Sequence, residues 1–197
     1  MTSKIKAAYD VAAEVYRKRY DGIPPRVKDV DLALSFVSNS NPFVVEIGCA
    51  YGREAKYILT KASRYIGLDI SENYIEMAKT EVLGGEFFCI DVMDYKFPHG
   101  IDVVFAFASL LHNPREDVAA VLARVAKALN SGGVLFLSLK RHEQYETAVE
   151  TDDLVSRRFY YYNRQTILDC VPDELAEVFY DEQSREAEWF TMILQKQ

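Results

Sequence analysis

Cysteine is scarce in this chain, and the few cysteines are far apart. Cys49, Cys89 and Cys170 are the three cysteines among 197 residues, and no C-x-x-C pair occurs. Zinc knuckles need closely spaced cysteines, and disulfide-stapled small domains need a paired set. The pattern therefore predicts neither a disulfide framework nor a metal site. Cys89 falls in a predicted buried strand and is interpreted as a small core residue.

Long apolar runs and an excess of positive charge are also missing. The longest apolar run lies near residues 103–111, far short of the ~20 residues that a membrane-spanning helix needs. The first residues, MTSKIK, lack an apolar signal region. The net charge is −7, which disfavours broad attraction to nucleic acid. We expect a cytoplasmic protein without a membrane or nucleic-acid partner, and the oligomeric state stays open.

What is present is an alternation of predicted strands and helices. Hydrophobic residues make up 49% of the chain and charged residues 27%, which is ordinary for a globular protein of one domain. Residues 1–40 are expected to form a helical cover, with helices over 4–20 and 27–38. Strands are predicted at 43–47, 64–70, 86–91, 101–107 and 134–139, with helices between them, which favours a parallel sheet covered on both faces. Ser71 and Asn113 are predicted to cap the helices that follow the second and the fourth strand. Residues 141–158 are expected to be a loop or short helix, followed by a helix over 163–171 and an antiparallel hairpin formed by 175–180 and 189–194.

The first strand runs into a glycine-containing turn, and a helical pattern follows at residue 53. The turn reads Gly48-Cys49-Ala50-Tyr51-Gly52. A strand, a glycine turn and a helix together present backbone N–H groups to a nucleotide-like ligand. The spacing is not that of a phosphate loop, because no Gly-Lys-Ser/Thr follows, and it is shorter than the dinucleotide pattern G-x-G-x-x-G. Glu46 precedes the turn, where a carboxylate repels a pyrophosphate and attracts an ammonium group.

Further polar residues follow later strands of the predicted sheet. Asp69 ends the second strand, 69 − 48 = 21 positions after Gly48, where an acid accepts hydrogen bonds from ribose hydroxyls. Asp69 capping the next helix is the alternative. Asp91 ends the third strand, where a turn-forming role is the alternative. Phe107 ends the fourth strand and His112 follows it, and a histidine there either acts as a general base or simply packs.

Together these features resemble the class I S-adenosylmethionine-dependent methyltransferases, of the type that acts on small molecules. Their first motif usually reads acid-x-G-x-G-x-G, and this chain has Ala50 in place of the middle glycine. The resemblance covers about residues 40–197. It implies an α/β fold, a doubly wound and mostly parallel sheet with a C-terminal antiparallel hairpin. It also implies S-adenosylmethionine as cofactor and a small-molecule acceptor methylated at oxygen or nitrogen.

The resemblance further implies a set of site residues. The expected cofactor-binding residues are Glu46, Gly48, Cys49, Ala50, Gly52, Asp69, Ile70, Asp91, Val92, Phe107 and, from the N-terminal helix, Tyr16. His112 is the expected catalytic base, and Arg158 and Tyr160 are expected to bind the acceptor. The sulfonium already activates the methyl group, so the reaction mainly needs orientation, and a base is optional.

Two other functions remain open on the sequence. A nicotinamide-dependent oxidoreductase would share the strand–turn–helix arrangement, although Glu46 and the short glycine spacing disfavour it. A non-catalytic protein that binds S-adenosylmethionine would share the cofactor residues, and Ala50 favours it slightly. A protein or RNA acceptor is a further alternative for the enzyme.

Overall fold

The sequence folds around a sheet of seven strands, in a computed structural model that describes residues 2–184 and 187–197. The helices are α1 (Thr2–Tyr20), α2 (Val27–Leu34), α3 (Ala55–Ile58), α4 (Glu72–Glu81), α5 (Arg115–Ala128) and α6 (Arg164–Leu168). The strands are β1 (Phe43–Ile47), β2 (Arg64–Asp69), β3 (Glu86–Cys89), β4 (Ile101–Phe107), β5 (Leu129–Lys140), β6 (Glu146–Thr151), β7 (Ser156–Tyr161), β8 (Leu175–Ser184) and β9 (Glu188–Lys196).

The strand order is β3-β2-β1-β4-β5-β9-β8. The first five pair in parallel, and β9 pairs antiparallel with both β5 and β8. The order reverses between β1 and β4, because the chain leaves β3 at one edge and returns beside β1. Ligands of open α/β sheets bind at such a switch point, outside the carboxyl ends of the strands. The predicted sheet and terminal hairpin are therefore confirmed.

Both faces of the sheet are buried. Val118, Val121 and Leu122 of α5 pack in one apolar cluster with alternate residues of β1, β4 and β5. The cluster on the other face includes α2, α3 and α4. This two-sided burial explains why β1, β4 and β5 are nearly continuous apolar runs rather than alternating ones.

Helix ends follow local side-chain chemistry where a capping residue is present. Ser71 caps α4 by accepting a hydrogen bond from the Tyr74 N–H, as predicted, and Asn163 forms a capping box with Thr166 at α6. The prediction that Asn113 caps α5 is wrong. Pro114 occupies the cap position, and no described side chain caps that helix.

Residues 141–158 do not form the predicted loop or short helix. Half of the segment belongs to β6 and β7, an antiparallel pair outside the main sheet that we call the rim hairpin. Its turn is closed by Asp152, whose Oδ1 accepts hydrogen bonds from the N–H groups of Leu154 and Val155, each at 2.9 Å. The strand β6 was missed because it is mostly polar and half exposed, so it carries no apolar run.

The helix α1 lies across the carboxyl ends of the strands, against α4 and β7. Its buried residues Ala12, Ala13 and Tyr16 pack with Tyr51 and Tyr74. In the described part of the chain, no helix has the length and apolarity needed to cross a membrane.

Candidate active site

A cavity of about 1480 Å³ opens at the carboxyl ends of the strands, beneath α1 and the rim hairpin. Eleven of the fourteen residues predicted for the site line it. They are Tyr16, Glu46, Gly48, Cys49, Ala50, Asp69, Ile70, Asp91, Val92, Phe107 and His112. Gly52, Arg158 and Tyr160 are not among its described lining residues. The fold thus brings most of the predicted set to one place, although the residues come from α1, β1, β2, β4, the 3-10 turn at residues 110–112 and the loops after β1, β2 and β3.

Gly48 is required where the ends of β1 and β4 approach each other. Its φ is +76°, and a Cβ atom there would lie 2.4 Å from the Cβ of Ser109. The turn is tied to β2, because the N–H groups of Gly48 and Cys49 both donate to the Leu68 carbonyl, at 2.7 and 2.9 Å. Gly52, by contrast, serves packing, since a side chain there would meet Val82 at 2.7 Å.

Ala50 adopts the left-handed backbone that the middle glycine of the motif usually provides. Its φ is +47°, a region that costs a non-glycine residue about 1–2 kcal/mol. The conformation aims the Ala50 N–H at Asp69 Oδ2, 2.9 Å away. The substitution of alanine for glycine therefore keeps the geometry of the turn.

Two backbone N–H groups, one in the glycine turn after β1 and one after β2, donate hydrogen bonds to Asp69. Its Oδ2 accepts from Ala50, and its Oδ1 accepts from the N–H of Ser71 at 2.8 Å. Burial raises the pKa of Asp69 to about 6, although the surrounding backbone N–H groups oppose the shift. Each carboxylate oxygen retains a further lone pair, so it can accept a hydroxyl hydrogen bond. The side chain that caps α4 is Ser71, which leaves Asp69 available to a ligand.

Glu46 is a buried carboxyl group whose exposed fraction is 1%. The Tyr65 hydroxyl donates to it at 2.6 Å. Burial raises the pKa of Glu46, and the nearby Glu54 carboxylate raises it further. Glu54 itself pairs with Arg53 at 2.6 Å. A cation placed beside Glu46 would stabilise its ionised form, which makes the end of β1 suited to an ammonium group.

The rest of the predicted cofactor-binding wall is formed by Asp91, Val92, Ile70 and Phe107. Asp91 Oδ1 accepts from the N–H of Met93 at 2.9 Å, so this carboxylate closes a turn at the end of β3 while it also lines the cavity. Phe107 stacks on Phe105 with ring centroids 4.9 Å apart. Ile70 and Phe107 thus present apolar surface to the cavity.

His112 is hydrogen-bonded at both ring nitrogens. Its Nδ1 lies 2.6 Å from the Arg158 carbonyl oxygen, which only accepts, so Nδ1 carries the proton. Its Nε2 lies 2.7 Å from the hydroxyl of Tyr9, which therefore donates to it. Burial lowers the pKa of His112 to about 4. The imidazole is thus neutral near pH 7, and its lone pair is engaged by Tyr9.

The structure corrects the placement of Arg158 and Tyr160. Both are in β7, where successive side chains point to opposite faces. Tyr160 is buried beside Tyr145, and Arg158 is exposed, with its Nη1 3.4 Å from Thr147 Oγ1. Arg157 and Phe159 face the cavity instead. The segment predicted to bind the acceptor thus reaches the cavity wall, but through the neighbouring residues, which lie on the other face of the strand.

Tyr9 and Arg157 join α1 to the rim hairpin within the cavity wall. Arg157 donates to Tyr9 from Nη1 at 3.3 Å and to Asp152 from Nη2 at 2.7 Å. Asp152 also accepts from the Tyr16 hydroxyl. The Tyr9–Arg157 and Tyr16–Asp152 contacts join residues more than 130 positions apart, and no local sequence signal could have paired them. In the described part of the chain, no group of three or more His, Cys, Asp or Glu side chains is arranged to hold a metal ion.

Comparisons with known proteins agree with this fold. Residues 44–133 match the family model described as "Methyltransferase domain". The chain is 32% identical over 106 residues to carboxy-S-adenosyl-L-methionine synthase of Helicobacter hepaticus, which covers 50% of this chain and 44% of that protein. It is 32% identical over 109 residues to trans-aconitate 2-methyltransferase of an Acidovorax species, covering 54% of this chain and 42% of that protein. The chain thus spans less than half the length of these relatives.

Solved structures resemble the whole chain at low identity. Magnesium protoporphyrin IX methyltransferase of Synechocystis, with S-adenosylmethionine bound, superposes with a TM-score of 0.76 at 17% identity, covering 100% of this chain and 97% of that one. An S-adenosylmethionine-dependent methyltransferase of Methanosarcina mazei superposes with a TM-score of 0.71 at 15% identity, covering 84% and 96%. At this identity the likeness establishes the fold.

Proposed function

We propose that the chain is a class I S-adenosylmethionine-dependent methyltransferase, and that it transfers a methyl group from S-adenosylmethionine to an oxygen or nitrogen of a small molecule. The match of residues 44–133 to the methyltransferase domain model supports the family, and the strand order of the sheet supports the fold. The observation that carries the proposal is the meeting of Asp69, the Gly48 turn and Glu46 in one cavity at the switch point. The names of the relatives include trans-aconitate and magnesium protoporphyrin IX, both small molecules, which supports an acceptor of that class.

The side chains of the cavity match the groups of the cofactor. Asp69 has two oxygens available to the ribose hydroxyls, and the buried Glu46 suits the ammonium of the methionine part. Ile70 and Phe107 offer apolar surface, and Asp91 lies at the end of β3, where the family resemblance puts the adenine. Bound there, S-adenosylmethionine supplies a methyl group activated by its positive sulfur.

Removal of a proton from the acceptor falls to Tyr9 and His112 together. The Tyr9 hydroxyl donates a hydrogen bond to His112 Nε2, so the Tyr9 oxygen can only accept a hydrogen bond from a further donor. A hydroxyl or amine acceptor passes its proton to the Tyr9 oxygen while Tyr9 passes its own to His112. The Arg158 carbonyl then holds the Nδ1 proton of the imidazolium. His112 thus acts through Tyr9 rather than on the acceptor.

Calorimetry tests the cofactor assignment. We expect the protein to bind S-adenosylmethionine and S-adenosylhomocysteine, and to bind NAD and ATP at least roughly tenfold more weakly. Replacing Asp69 by alanine removes a charge-assisted hydrogen bond worth ~1.5–3 kcal/mol, so S-adenosylhomocysteine affinity should fall at least roughly tenfold.

Asp94→Ala provides the matched control. Asp94 is an exposed carboxylate in the loop after β3 that does not line the cavity in the described structure, so its loss should leave affinity unchanged. Tighter binding of NAD, or equal affinity of the folded Asp69→Ala variant, would contradict the assignment.

A further inference from the structure

Arg157 is a cation built into the cavity wall next to the residues of the proton relay. The side chain is 17% exposed, and its guanidinium carbon lies 5.4, 5.1 and 5.4 Å from the ring centroids of Tyr9, Tyr16 and Phe159. Stacking on three aromatic rings fixes the plane of the guanidinium. An arginine held in this way is ready to bind a planar or tetrahedral anion.

The guanidinium has unused hydrogen-bonding capacity. Of its five N–H groups, one donates to Tyr9 and one to Asp152. Its Nε is buried and has no hydrogen-bond partner among the described residues. A buried donor without a partner is unfavourable, so this wall gains from a ligand that brings acceptor oxygens. The Arg157–Asp152 pair keeps the charge balanced while no such ligand is bound.

The same geometry disfavours a cationic acceptor. Ammonium ligands are typically caged by aromatic faces. Here the protein's own cations occupy those faces, because Arg157 stands over Tyr9, Tyr16 and Phe159, and Lys140 Nζ stands 4.1 Å from the Phe159 centroid. Lys140 also lines the cavity and pairs with Glu150 at 2.6 Å. An ammonium acceptor would have to displace a cation of like charge.

We propose that Arg157 is the acceptor-recognition residue of this site, and that the methyl acceptor carries an oxyanion, a carboxylate or a phosphate, which Arg157 binds. The inference rests on the proposed function for the statement that the bound anion is the acceptor. Arg157 Nη1 is 3.3 Å from the Tyr9 oxygen, so the oxyanion lies beside the hydroxyl or amine that the relay deprotonates. An acceptor with its anionic group and its methylated atom close together fits this arrangement.

Direct binding of small probes tests the inference without turnover. Glycolate and inorganic phosphate carry the two oxyanions, and glycolamide is the neutral counterpart of glycolate. Each is titrated into the protein with and without saturating S-adenosylhomocysteine, at constant ionic strength, and binding is followed by calorimetry and saturation-transfer NMR. We expect glycolate, phosphate or both to bind at least about tenfold more tightly than glycolamide, as a charge-assisted hydrogen bond implies. The stronger of the two anions identifies the class of acceptor.

Three variants assign the binding to Arg157. Arg157→Gln should weaken binding of the preferred anion at least about tenfold. Arg164→Gln makes the same charge change at an exposed arginine that pairs with Glu177 and does not line the cavity in the described structure, so it should leave anion binding as in the unchanged protein. Asp152→Asn removes the carboxylate that competes for Arg157 while keeping an acceptor for the turn, so anion binding should strengthen by several-fold. Opposite signs for Arg157→Gln and Asp152→Asn are not expected of a general loss of structure.

The outcomes separate this inference from the proposed function. Equal binding of glycolamide and glycolate, retention of anion binding in Arg157→Gln, or weaker anion binding in a folded Asp152→Asn protein would each overturn the role of Arg157. If Arg157→Gln does not fold, the sign of the Asp152→Asn effect decides. Failure of S-adenosylhomocysteine to bind contradicts the proposed function, whereas the anion titration without it still tests Arg157.

Discussion

His112 shows what a single residue in the sequence can and cannot reveal. Its position after β4 predicts a place in the cleft, and the structure has it in the cavity wall. Its tautomer depends on Tyr9, 103 positions earlier, and on the Arg158 carbonyl, 46 positions later. Its low pKa comes from burial, which outweighs the opposing effect of the hydrogen bond to the Arg158 carbonyl. Those contacts arise from tertiary packing, so the sequence indicated the residue but not its chemical state.

The Tyr9–His112 pair predicts a common effect of two substitutions. Tyr9→Phe removes the hydroxyl, and His112→Gln removes the basic nitrogen, so each should lower kcat by about 10²–10⁴-fold if the acceptor must lose a proton. Because the pair acts as one unit, the double variant should be no worse than either single variant. S-adenosylhomocysteine affinity should change little. Since the pKa of His112 is about 4, its titration should produce no change in rate near pH 6.5.

Tyr57→Phe is the control for loss of a phenol hydroxyl outside the cavity, since Tyr57 bonds Asp31 at the surface. Steady-state turnover, affinity and melting temperature are measured on the same preparations. Independent, multiplicative losses in the double variant would show that the two groups do not form a relay. Near-native turnover in Tyr9→Phe would remove proton transfer from the mechanism.

At the scale of helices and strands, local sequence signals predicted the elements that belong to the main sheet or cover it. Ser71 and Asn163 marked helix starts, and the glycine turn marked the end of β1. The rim hairpin was not predicted because β6 is mostly polar, and because β7 packs against α1 and the 3-10 turn at residues 110–112, which are distant in the sequence. Missing that hairpin also misassigned its faces, because the side-chain period of a strand is two.

The helix α1 is expected to open more readily than the sheet. One side of it is exposed, as Val11 with 74% exposure shows, and it is held by a few polar contacts such as Ser71 to Asp10 at 2.7 Å. Local opening therefore breaks fewer contacts than opening of β4 does. Tyr9 and Tyr16 of α1 line the cavity, so a bound ligand should stabilise the closed helix.

Hydrogen exchange measures this difference. Amides of α1 should exchange faster than those of β4, and saturating S-adenosylhomocysteine should slow them. The amides of residues 118–128 in α5, which pack on the sheet face, are the control and should change little apart from any global stabilisation. Exchange in α1 as slow as in β4, or unaffected by the ligand, would show that α1 is a fixed part of the core.

On the scale of the whole molecule, the architecture was predictable because the signals that set it are local and repeated. Each of the five parallel strands contains an apolar run or ends in an acid or glycine turn, and the terminal hairpin follows from two β-like runs with a polar stretch between them. The extent of β5, the short α3 and the rim hairpin were not predictable from such signals. They are fixed by pairing and packing partners that are distant in the sequence.

Two buried groups of the site affect the stability of the whole molecule in opposite directions. The folded pKa of Asp69 is about 6 against an ordinary value of 3.8, so between these values the folded state binds more protons, and stability falls as the pH rises. The folded pKa of His112 is about 4 against 6.5, so there the unfolded state binds more protons, and stability rises with pH. Between about pH 4 and 6 the two effects oppose each other.

Single variants should therefore show opposite pH dependences of the free energy of unfolding, which oppose each other in the unchanged protein. Asp69→Asn removes the contribution to stability that falls as the pH rises. The stability of this variant relative to the unchanged protein should therefore rise with pH between about 4 and 6. His112→Gln removes the rising contribution, so its relative stability should fall over the same range, each by about 1–3 kcal/mol. Urea unfolding of the three ligand-free proteins at pH 4.5, 5.5 and 7.5 measures the differences, and the other ionisable groups, common to all three, cancel. Parallel curves for the three proteins would mean that neither group has a folded pKa displaced from its ordinary value.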